Sequence, residues 1–355
     1  MSLLDKKDEV KKVDRKGMYD LILKFPSQIE DAFKIAESVS ISRIVPDKIK
    51  NIIVAGMGGS AIGGELVRSY LFDQIKVPFF ISKNYFLPDF VDEKSLVFVS
   101  SYSGNTEETL SAYDQAQKRK AQIIALSSDG KLKKLAKNDG FCFVEIPTGY
   151  QPRAALGYSF VPILLILSRL KFCPDKKSDV KKTIEFLSEN LSSFRMETKV
   201  SFNIAKRLAE KIFQKLPIIY SSNDYFDAVA YRWKGQLCEN SKILAFSNVF
   251  PEFNHNELVG WEILSGLEDR LIVIFLKDKD DFLKIKKRMD IVKKIIQDKN
   301  VKVVEVESSG PNLLARIFSL IQLGDFVSFY LAILNGVDPT PVRLIDYLKK
   351  ELEKE

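Results

Sequence analysis

Two short polar segments in the first half of the chain have the composition of phosphate-binding turns. Residues 56–60 (GMGGS) follow the apolar run 51–55, and residues 101–106 (SYSGNT) follow the apolar run 96–100. Each pattern predicts a strand that leads through a turn into a helix, where backbone N–H groups and hydroxyls converge on an anion. Two such turns in one domain favour a binding site for a sugar phosphate.

The side chains of these turns supply the candidate binding groups. The hydroxyls of Ser101, Ser103 and Thr106 fall within six residues beside a predicted helix start. A helix cap accounts for one or two of them but hardly for all three, so we expect capping and ligand binding to coexist. In the first turn the candidates are Gly59 and Ser60. Taken alone, that turn can also serve only the close packing of strand and helix.

A dinucleotide site is the competing interpretation of the first turn. Gly56-x-Gly58-x-x-Ala61 fits the loose dinucleotide fingerprint. That fingerprint also needs an acidic residue at the end of the next strand, where this chain has Ser82-Lys83-Asn84. The sequence therefore favours a phosphate site without a nicotinamide cofactor.

Composition limits the classes of function. The chain has 355 residues, 46% of them hydrophobic, and a formal net charge of +7. Its length fits two ordinary domains with substantial cores. The basic residues are scattered along predicted helices among apolar positions, which indicates solvated helix faces and no nucleic-acid-binding surface. A mildly positive field of this kind attracts anionic substrates.

Cysteine and histidine usage argues against a metal site. Cys142, Cys173 and Cys238 are far apart, and His255 is the only histidine. An odd number of cysteines without a CxxC pair predicts neither zinc nor disulfides.

The N-terminus lacks the apolar core of a signal peptide, and the longest apolar stretch, near residues 160–167, is too short to span a bilayer. We therefore expect a cytoplasmic protein without metal, membrane or nucleic-acid partners.

The elements that position these residues follow from short apolar runs spaced by about one strand plus one helix. The predicted strands are 51–55, 77–81, 96–100, 122–126 and 141–145 in the first half, and 217–220, 242–246, 271–275 and 301–306 in the second. This spacing predicts an α/β fold with two similar parallel-sheet subdomains. The expected division is an N-terminal arm and helix (1–40), a first subdomain (41–175), a second subdomain (176–337) and a C-terminal helix that completes the site (338–355), with a linker at 174–179.

Five motifs in a fixed order carry a resemblance to a known family. They are GMGGSAIGG at 56–64, SYSGNTEET at 101–109, PRAALGYS at 152–159, Glu239-Asn240 followed by NHNE at 254–257, and DPTP at 338–341. With these motifs the chain, from about Asp14 onward, resembles the bifunctional phosphoglucose/phosphomannose isomerases, a branch of the sugar-isomerase (SIS) family. The SxSGNTxE turn by itself indicates only a SIS domain, whereas the later motifs are typical of the isomerase branch.

The resemblance implies an architecture and a reaction. The fold would be two SIS subdomains, each an αβα sandwich with a parallel β-sheet flanked by helices. The reaction would be the interconversion of glucose 6-phosphate or mannose 6-phosphate with fructose 6-phosphate through a cis-enediol, without cofactor or metal. Because the two aldoses differ only at C2, one intermediate can serve both.

The reaction needs a proton-transfer base and a group that stabilises the enediolate charge. By resemblance Glu239, at the end of the predicted helix 226–238, is the base, and Arg153 stabilises the charge. From local sequence alone, Glu239 can equally be a surface carboxylate at a helix end, and Arg153 can form a structural salt bridge.

The single histidine is the candidate for ring opening. His255 lies in a polar loop, and a lone loop histidine is usually only solvent-exposed. The resemblance assigns it to ring opening and implies that it is delivered from the neighbouring subunit of a homodimer.

The last candidate lies in the C-terminal helix. Ile345, Leu348 and Leu352 form an apolar stripe, and Lys349 stands at its edge. We predict that Lys349 faces inward, where it matches the family's catalytic lysine in proton transfer to ring or hydroxyl oxygens. Lys350 is the alternative if the register is shifted by one residue.

A non-catalytic SIS protein that binds a phosphosugar and regulates transcription is the main alternative function. Such regulators usually carry a helix-turn-helix module, for which the segment before Met18 leaves no room. The isomerase half of a glucosamine-6-phosphate synthase is less favoured, because that enzyme needs an N-terminal nucleophilic cysteine and residue 2 here is Ser2. Neither alternative accounts for Glu239, His255 and Lys349 together.

Overall fold

The computed structural model describes residues 2–352 and 354, so that Met1, Glu353 and Glu355 of the predicted terminal segments lie outside the described residues. The α-helices are α1 (Lys7–Val13), α2 (Met18–Leu23), α3 (Phe25–Ser38), α4 (Gly59–Tyr70), α5 (Glu107–Lys118), α6 (Gly130–Asn138), α7 (Leu156–Arg169), α8 (Lys177–Phe194), α9 (Ile204–Ile212), α10 (Asp227–Ser241), α11 (Leu283–Gln297), α12 (Leu313–Leu334) and α13 (Arg343–Leu352). The strands are β1 (Asn51–Ala55), β2 (Phe79–Ser82), β3 (Ser95–Ser100), β4 (Gln122–Ser127), β5 (Cys142–Glu145), β6 (Leu216–Ser222), β7 (Phe246–Phe250), β8 (Leu271–Lys277) and β9 (Lys302–Glu307).

The strands form two parallel sheets. The first sheet has the order β2-β1-β3-β4-β5 and the second has the order β7-β6-β8-β9, and every neighbouring pair is parallel. The second sheet therefore repeats the order of the first four strands of the first sheet. The predicted α/β fold with two parallel sheets flanked by helices is confirmed.

Both faces of each sheet are covered, as an all-parallel sheet requires. In β3, Val97 and Val99 contribute to the apolar layer formed with α5 and α6, whereas Leu96 and Phe98 belong to the layer formed with α4 and α7. All four side chains are fully buried. The alternation along one strand thus places the first sheet between two helical layers.

A shared apolar core lies between the two sheets. It is built from α3, α4, α7, α8, α10 and α12 and includes side chains from both sheets. Helix α12 is long and apolar enough to cross a membrane, but 89% of its most apolar stretch is buried inside the protein, against neighbours that include α8, α9 and α10. It is the central core helix of this fold.

The N-terminal segment packs against the second half of the chain. Leu4 and Val10 are fully buried. The Nζ of Lys206, itself fully buried, donates to Asp5 Oδ1 at 3.2 Å. The predicted lysine-rich arm is therefore held to the core at its apolar positions.

Two local predictions are wrong. The predicted strand at 242–246 is instead a connection, and β7 begins only at Phe246. The apolar composition of that run resembles a strand, but Lys242 has a left-handed backbone (φ 60°) that ends α10. The predicted linker at 174–179 is also too long, because α8 begins at Lys177.

Candidate active site

The two polar turns lie side by side at the crevice of the first sheet. They follow β1 and β3, which are neighbours in the sheet order, while the chain continues from β1 to β2 on one side and from β3 to β4 on the other. Ligands of open parallel sheets bind at such a reversal, outside the carboxyl ends of the strands. The predicted pairing of the two turns is therefore present in the structure.

The first turn needs glycine for two different reasons. Gly58 has a left-handed φ of 48°, which side chains strongly disfavour. At Gly59, a Cβ atom would lie 2.6 Å from the carbonyl carbon of Pro152 and 2.9 Å from the nitrogen of Arg153. Gly59 thus lets the start of α4 approach the backbone of the segment that carries Arg153.

The hydroxyls of the second turn divide into structural and accessible groups. Ser101 is buried, and its Oγ donates to Thr106 Oγ1 at 3.0 Å and accepts from the Gly104 nitrogen at 3.1 Å. Ser103 is exposed and Thr106 is half-buried. Ser101 therefore holds the turn, while Ser103 and Thr106 are open to an incoming anion at the start of α5.

Ser60 connects the two turns. Its Oγ accepts a hydrogen bond from the Tyr102 nitrogen at 3.0 Å. The Ser60 side chain is buried at the start of α4, and Tyr102 lies in the second turn. This contact fixes the relative position of the predicted phosphate-binding groups.

Arg153 joins three parts of the chain. It is 3% exposed, lies in the 3-10 turn Pro152–Ala154, and its Nε donates to Asn240 Oδ1 at 2.6 Å. Its Nη2 donates to the carbonyls of Pro339 and Thr340 at 2.7 and 2.8 Å, and its Nη1 lies 3.4 Å from Glu239 Oε2. Burial lowers the pKa of Arg153 from its ordinary value, and the Glu239 carboxylate opposes that shift.

Glu239 lies in the last turn of α10, with 32% of its side chain exposed. A buried ion pair holds this helix behind it. Both carboxylate oxygens of Asp325 accept from Arg232 Nη2 at 2.8 Å, and Gln236 Nε2 donates to Asp325 at 2.7 Å. Arg232 Nη2 also donates to the carbonyl of Arg153 at 3.1 Å. The helix carrying Glu239 and the turn carrying Arg153 are therefore fixed to each other.

A cavity of about 190 Å³ opens between the start of α4 and one side of α10. Gly58, Gly59, Arg153, Tyr231 and Glu239 are among its lining residues. The structure thus brings together one phosphate turn, the predicted base and the predicted charge-stabilising residue.

The rim of the cavity is cationic. The Nζ atoms of Lys83 and Lys234 lie 4.8 and 5.3 Å from the centre of the Tyr231 ring. Lys83 also pairs with Glu65. Of the two, Lys234 lines the cavity, and its ammonium group favours the approach of an anionic substrate.

His255 is not part of this cavity in the single chain. It is exposed and ends the 3-10 turn Glu252–His255 after β7. Phe253 of that turn stacks on Tyr220 with ring centres 4.2 Å apart, on the face of the second sheet covered by α11. The opposite face is covered by α10, which carries Glu239. The turn that carries His255 and the helix that carries Glu239 therefore pack on opposite faces of the second sheet.

Lys349 is also away from the cavity in the single chain, where it is exposed, and its inward orientation stays a prediction for the assembled site. Helix α13 has no buried residue among those described. Its stripe of Ile345, Leu348 and Leu352 is exposed, and so are Lys349 and Lys350. The stripe has the predicted helical spacing, but no other part of the described chain covers it.

Several site residues were missed by sequence reasoning. Nothing in the residue types indicates that the carbonyls of Pro339 and Thr340 bind Arg153. Asp325 could have been recognised from the sequence, because it is one of only two charged residues in the 22-residue apolar stretch Leu313–Leu334. A lone acid in such a helix must find a buried partner, which is Arg232.

The equivalent crevice of the second sheet, after β6 and β8, is closed by charged side chains. Arg316 Nε donates to Asp278 Oδ2 at 2.8 Å, and its Nη2 donates to Asp280 Oδ2 at 2.6 Å. Ser222 donates to Asp281 at 2.5 Å. The polar side chains at this edge include carboxylates, whereas those of the first sheet are hydroxyls, so this crevice is unsuited to a phosphate.

Among residues 2–352 and 354, no group of three or more His, Cys, Asp or Glu side chains could hold a metal ion.

The chain is similar to proteins of known activity along most of its length. Residues 47–169 match the SIS domain family, and residues 202–352 match the family described as the bacterial phospho-glucose isomerase C-terminal SIS domain. The bifunctional phosphoglucose/phosphomannose isomerase of Caldicellulosiruptor bescii is 44% identical over 94% of this chain and 98% of its own length. The protein of the same name from Aquifex aeolicus is 39% identical over 86% of this chain and 91% of its own length.

A solved structure has the same fold. The glucose-6-phosphate isomerase like protein from Thermus thermophilus superposes with a TM-score of 0.63 and covers 99% of each chain at 20% sequence identity. Together with the site geometry and the identity to relatives over nearly the full length, this establishes that the chain belongs to the bifunctional phosphoglucose/phosphomannose isomerases of the SIS family.

Proposed function

We propose that this chain interconverts glucose 6-phosphate and mannose 6-phosphate with fructose 6-phosphate through a cis-enediol. The observation that carries the proposal is the Glu239–Arg153 pair on the wall of a cavity that also reaches Gly58 and Gly59 of a phosphate turn. Proton transfer between adjacent carbons needs an accessible base beside a fixed positive charge, and this pair supplies both. The names of the relatives describe the same reaction.

The phosphate end of the substrate is held by the two turns of the first sheet. Ser103 and Thr106 present accessible hydroxyls at the start of α5. Ser60 contributes from the start of α4, and Ser101 keeps the second turn in shape. Since the starts of two helices meet here, their unpaired N–H groups and positive dipole ends favour a dianion.

Glu239 transfers the proton. It removes the proton from C2 of the open-chain aldose and returns it to C1 to give the ketose, and it reverses these steps in the other direction. Both aldoses collapse to the same enediol when the C2 proton leaves. Reprotonation of C2 from either face, after rotation about C2–C3, then gives glucose 6-phosphate or mannose 6-phosphate.

Arg153 stabilises the charge of the enediolate. A guanidinium has five N–H donors, and the contacts of Arg153 within the described chain occupy four of them. The remaining donor belongs to Nη1, the nitrogen that faces Glu239. One N–H beside the base is therefore left for a substrate oxygen, while the other donors keep the guanidinium in place.

Ring opening is assigned to His255 of a second subunit in a homodimer. The support is geometric: the turn that carries His255 and the helix that carries Glu239 pack on opposite faces of the second sheet of one chain, which favours a histidine supplied by another copy. The exposed apolar stripe of α13 is a further surface that a second copy can cover. Lys349 on that helix would exchange protons with ring and hydroxyl oxygens once the site is assembled.

One experiment tests the reaction directly. Purified protein in EDTA is given fructose 6-phosphate, and NMR follows whether glucose 6-phosphate, mannose 6-phosphate, both or neither appears. We expect both aldoses with the native protein and neither with Glu239→Gln. No turnover would instead favour a phosphosugar-binding regulator, and inhibition by EDTA would indicate a metal requirement.

The cellular setting belongs to the same proposal. All three cysteines are free thiols, which fits a reducing compartment. We place the enzyme in the cytoplasm, at the hexose phosphate step shared by glycolysis and gluconeogenesis.

A further inference from the structure

Lys242 lies at the junction between the helix that carries Glu239 and the segment that leads to α13. It is the residue at which α10 ends, three positions after Glu239, and its backbone is left-handed with φ 60° and ψ 34°. Glycine is the usual residue at this position of a helix, because a side chain disfavours the conformation. Lys242 therefore carries a backbone strain that a glycine would not.

The ammonium group of Lys242 folds back toward the site. Its Nζ donates to the carbonyl of Glu239 and, at 3.0 Å, to the carbonyl of Pro339. The Pro339 carbonyl also accepts from Arg153 Nη2 at 2.7 Å. Two cations from different parts of the chain therefore converge on one carbonyl of the segment before α13.

The charged groups around Lys242 come from each of these neighbours. Arg153 lies on the 3-10 turn before α7, Glu239 on α10, and Asp338 on the segment before α13. Burial and the nearby Arg153 guanidinium together lower the pKa of Lys242 to about 8, against the opposing effect of Glu239 and Asp338. The ammonium is therefore protonated near neutral pH and loses its charge as the pH rises through about 8.

We propose that Lys242 is a positioning residue that ties the C-terminal end of α10, and with it Glu239, to the 338–341 segment from which α13 begins. Without this ammonium, the carbonyl of Pro339 and the carbonyl of Glu239 in the last turn of α10 each lose a hydrogen-bond donor. The helix that carries Glu239 and the segment that leads to the helix of Lys349 are then no longer tied together by this side chain. The expected effect on catalysis rests on the proposed isomerase function, whereas the tie that Lys242 makes between α10 and the 338–341 segment does not.

A matched control exists elsewhere in the chain. Lys120, which follows α5, has the same left-handed backbone with φ 59°, and its side chain makes no hydrogen bond or ion pair within the described residues. Lys120→Gly and Lys242→Gly relieve the same backbone strain, but only the second removes an anchor. Lys242→Arg keeps a cation, and Lys242→Met keeps the stem without the charge.

The first measurement is hydrogen–deuterium exchange of the backbone amides in 338–352, which needs no enzymatic activity. We expect faster exchange there in Lys242→Gly and Lys242→Met, and native exchange in Lys120→Gly and Lys242→Arg. Native exchange in Lys242→Gly would overturn the proposal. If the native protein shows no isomerase activity, the proposed function fails while this measurement still decides the anchor.

The second measurement is the pH profile of the isomerase reaction. We expect kcat to fall about tenfold in Lys242→Met with KM little changed, the size that one charge-assisted hydrogen bond supports. In the native enzyme kcat should decline above about pH 8 as Lys242 loses its proton. Lys242→Arg should move that decline to higher pH. A fall in melting temperature with native kcat and an unchanged profile would mean that Lys242 is only structural.

Discussion

Subunit mixing tests whether each active site is built from two chains. The two variants are Glu239→Gln, which removes the base, and His255→Ala, which removes the imidazole. In the structure, the turn that carries His255 packs on one face of the second sheet, and the helix that carries Glu239 packs on the other.

The expected magnitude follows from counting sites. In the proposed homodimer, both sites of each pure variant lack one group. A mixed dimer has one site with Glu239 and His255 intact and one site with both altered. Random reassociation of equal amounts makes about half of the dimers mixed, so about one quarter of the native activity should return.

The assay is the conversion of fructose 6-phosphate after the two variants are co-expressed or unfolded and refolded together. Different affinity tags allow the mixed dimer to be isolated, and this species should have about half the native activity per dimer. Native protein refolded in the same way is the control. Activity of the mixture no greater than the mean of the two pure variants would refute the shared site. Near-native activity of His255→Ala alone would show that ring opening does not need this residue.

Three further predictions concern single residues. Glu239→Gln should abolish isomerisation, while calorimetry should still detect the binding of fructose 6-phosphate. A positioned base contributes about 100-fold or more to the rate. Retention of more than about 10% of kcat would therefore contradict the role of Glu239 as the base. Gly59→Ala should lower kcat and the melting temperature because its Cβ would meet the Pro152 backbone at 2.6 Å, whereas Gly260→Ala, where nothing lies within 4 Å, should leave both unchanged. Asp325→Asn should reduce the free energy of unfolding in urea by about 3–5 kcal/mol, because it leaves a buried guanidinium without its carboxylate; a change below about 1 kcal/mol would mean that the ion pair is not uniquely required.

Local features of this protein could be predicted from the sequence. The runs before Gly56 and Ser101 form strands as predicted, because apolar β-branched residues that end in glycine and hydroxyl residues have few other stable conformations. The two turns meet because neighbouring parallel strands have their carboxyl ends at the same edge of a sheet.

Features that depend on distant parts of the chain could not be predicted in the same way. Nothing in the 338–341 motif indicates that its carbonyls bind Arg153, since backbone acceptors leave no mark on residue type. The predicted strand at 242–246 failed because Lys242 adopts a left-handed backbone that ends α10, and composition does not reveal this conformation. The inward orientation of Lys349 depends on a surface that covers the apolar stripe of α13, and the described chain does not supply one.

The charged closure of the second crevice has a consequence for binding stoichiometry. A repeated fold offers two topologically equivalent crevices, yet Asp278, Asp280 and Asp281 with Arg316 occupy the second one. Carboxylates at that position repel a phosphate dianion. Saturation with a phosphosugar should therefore require one equivalent per chain and not two. Within this chain, the first half holds the anion crevice, and the second half contributes α10 with Glu239.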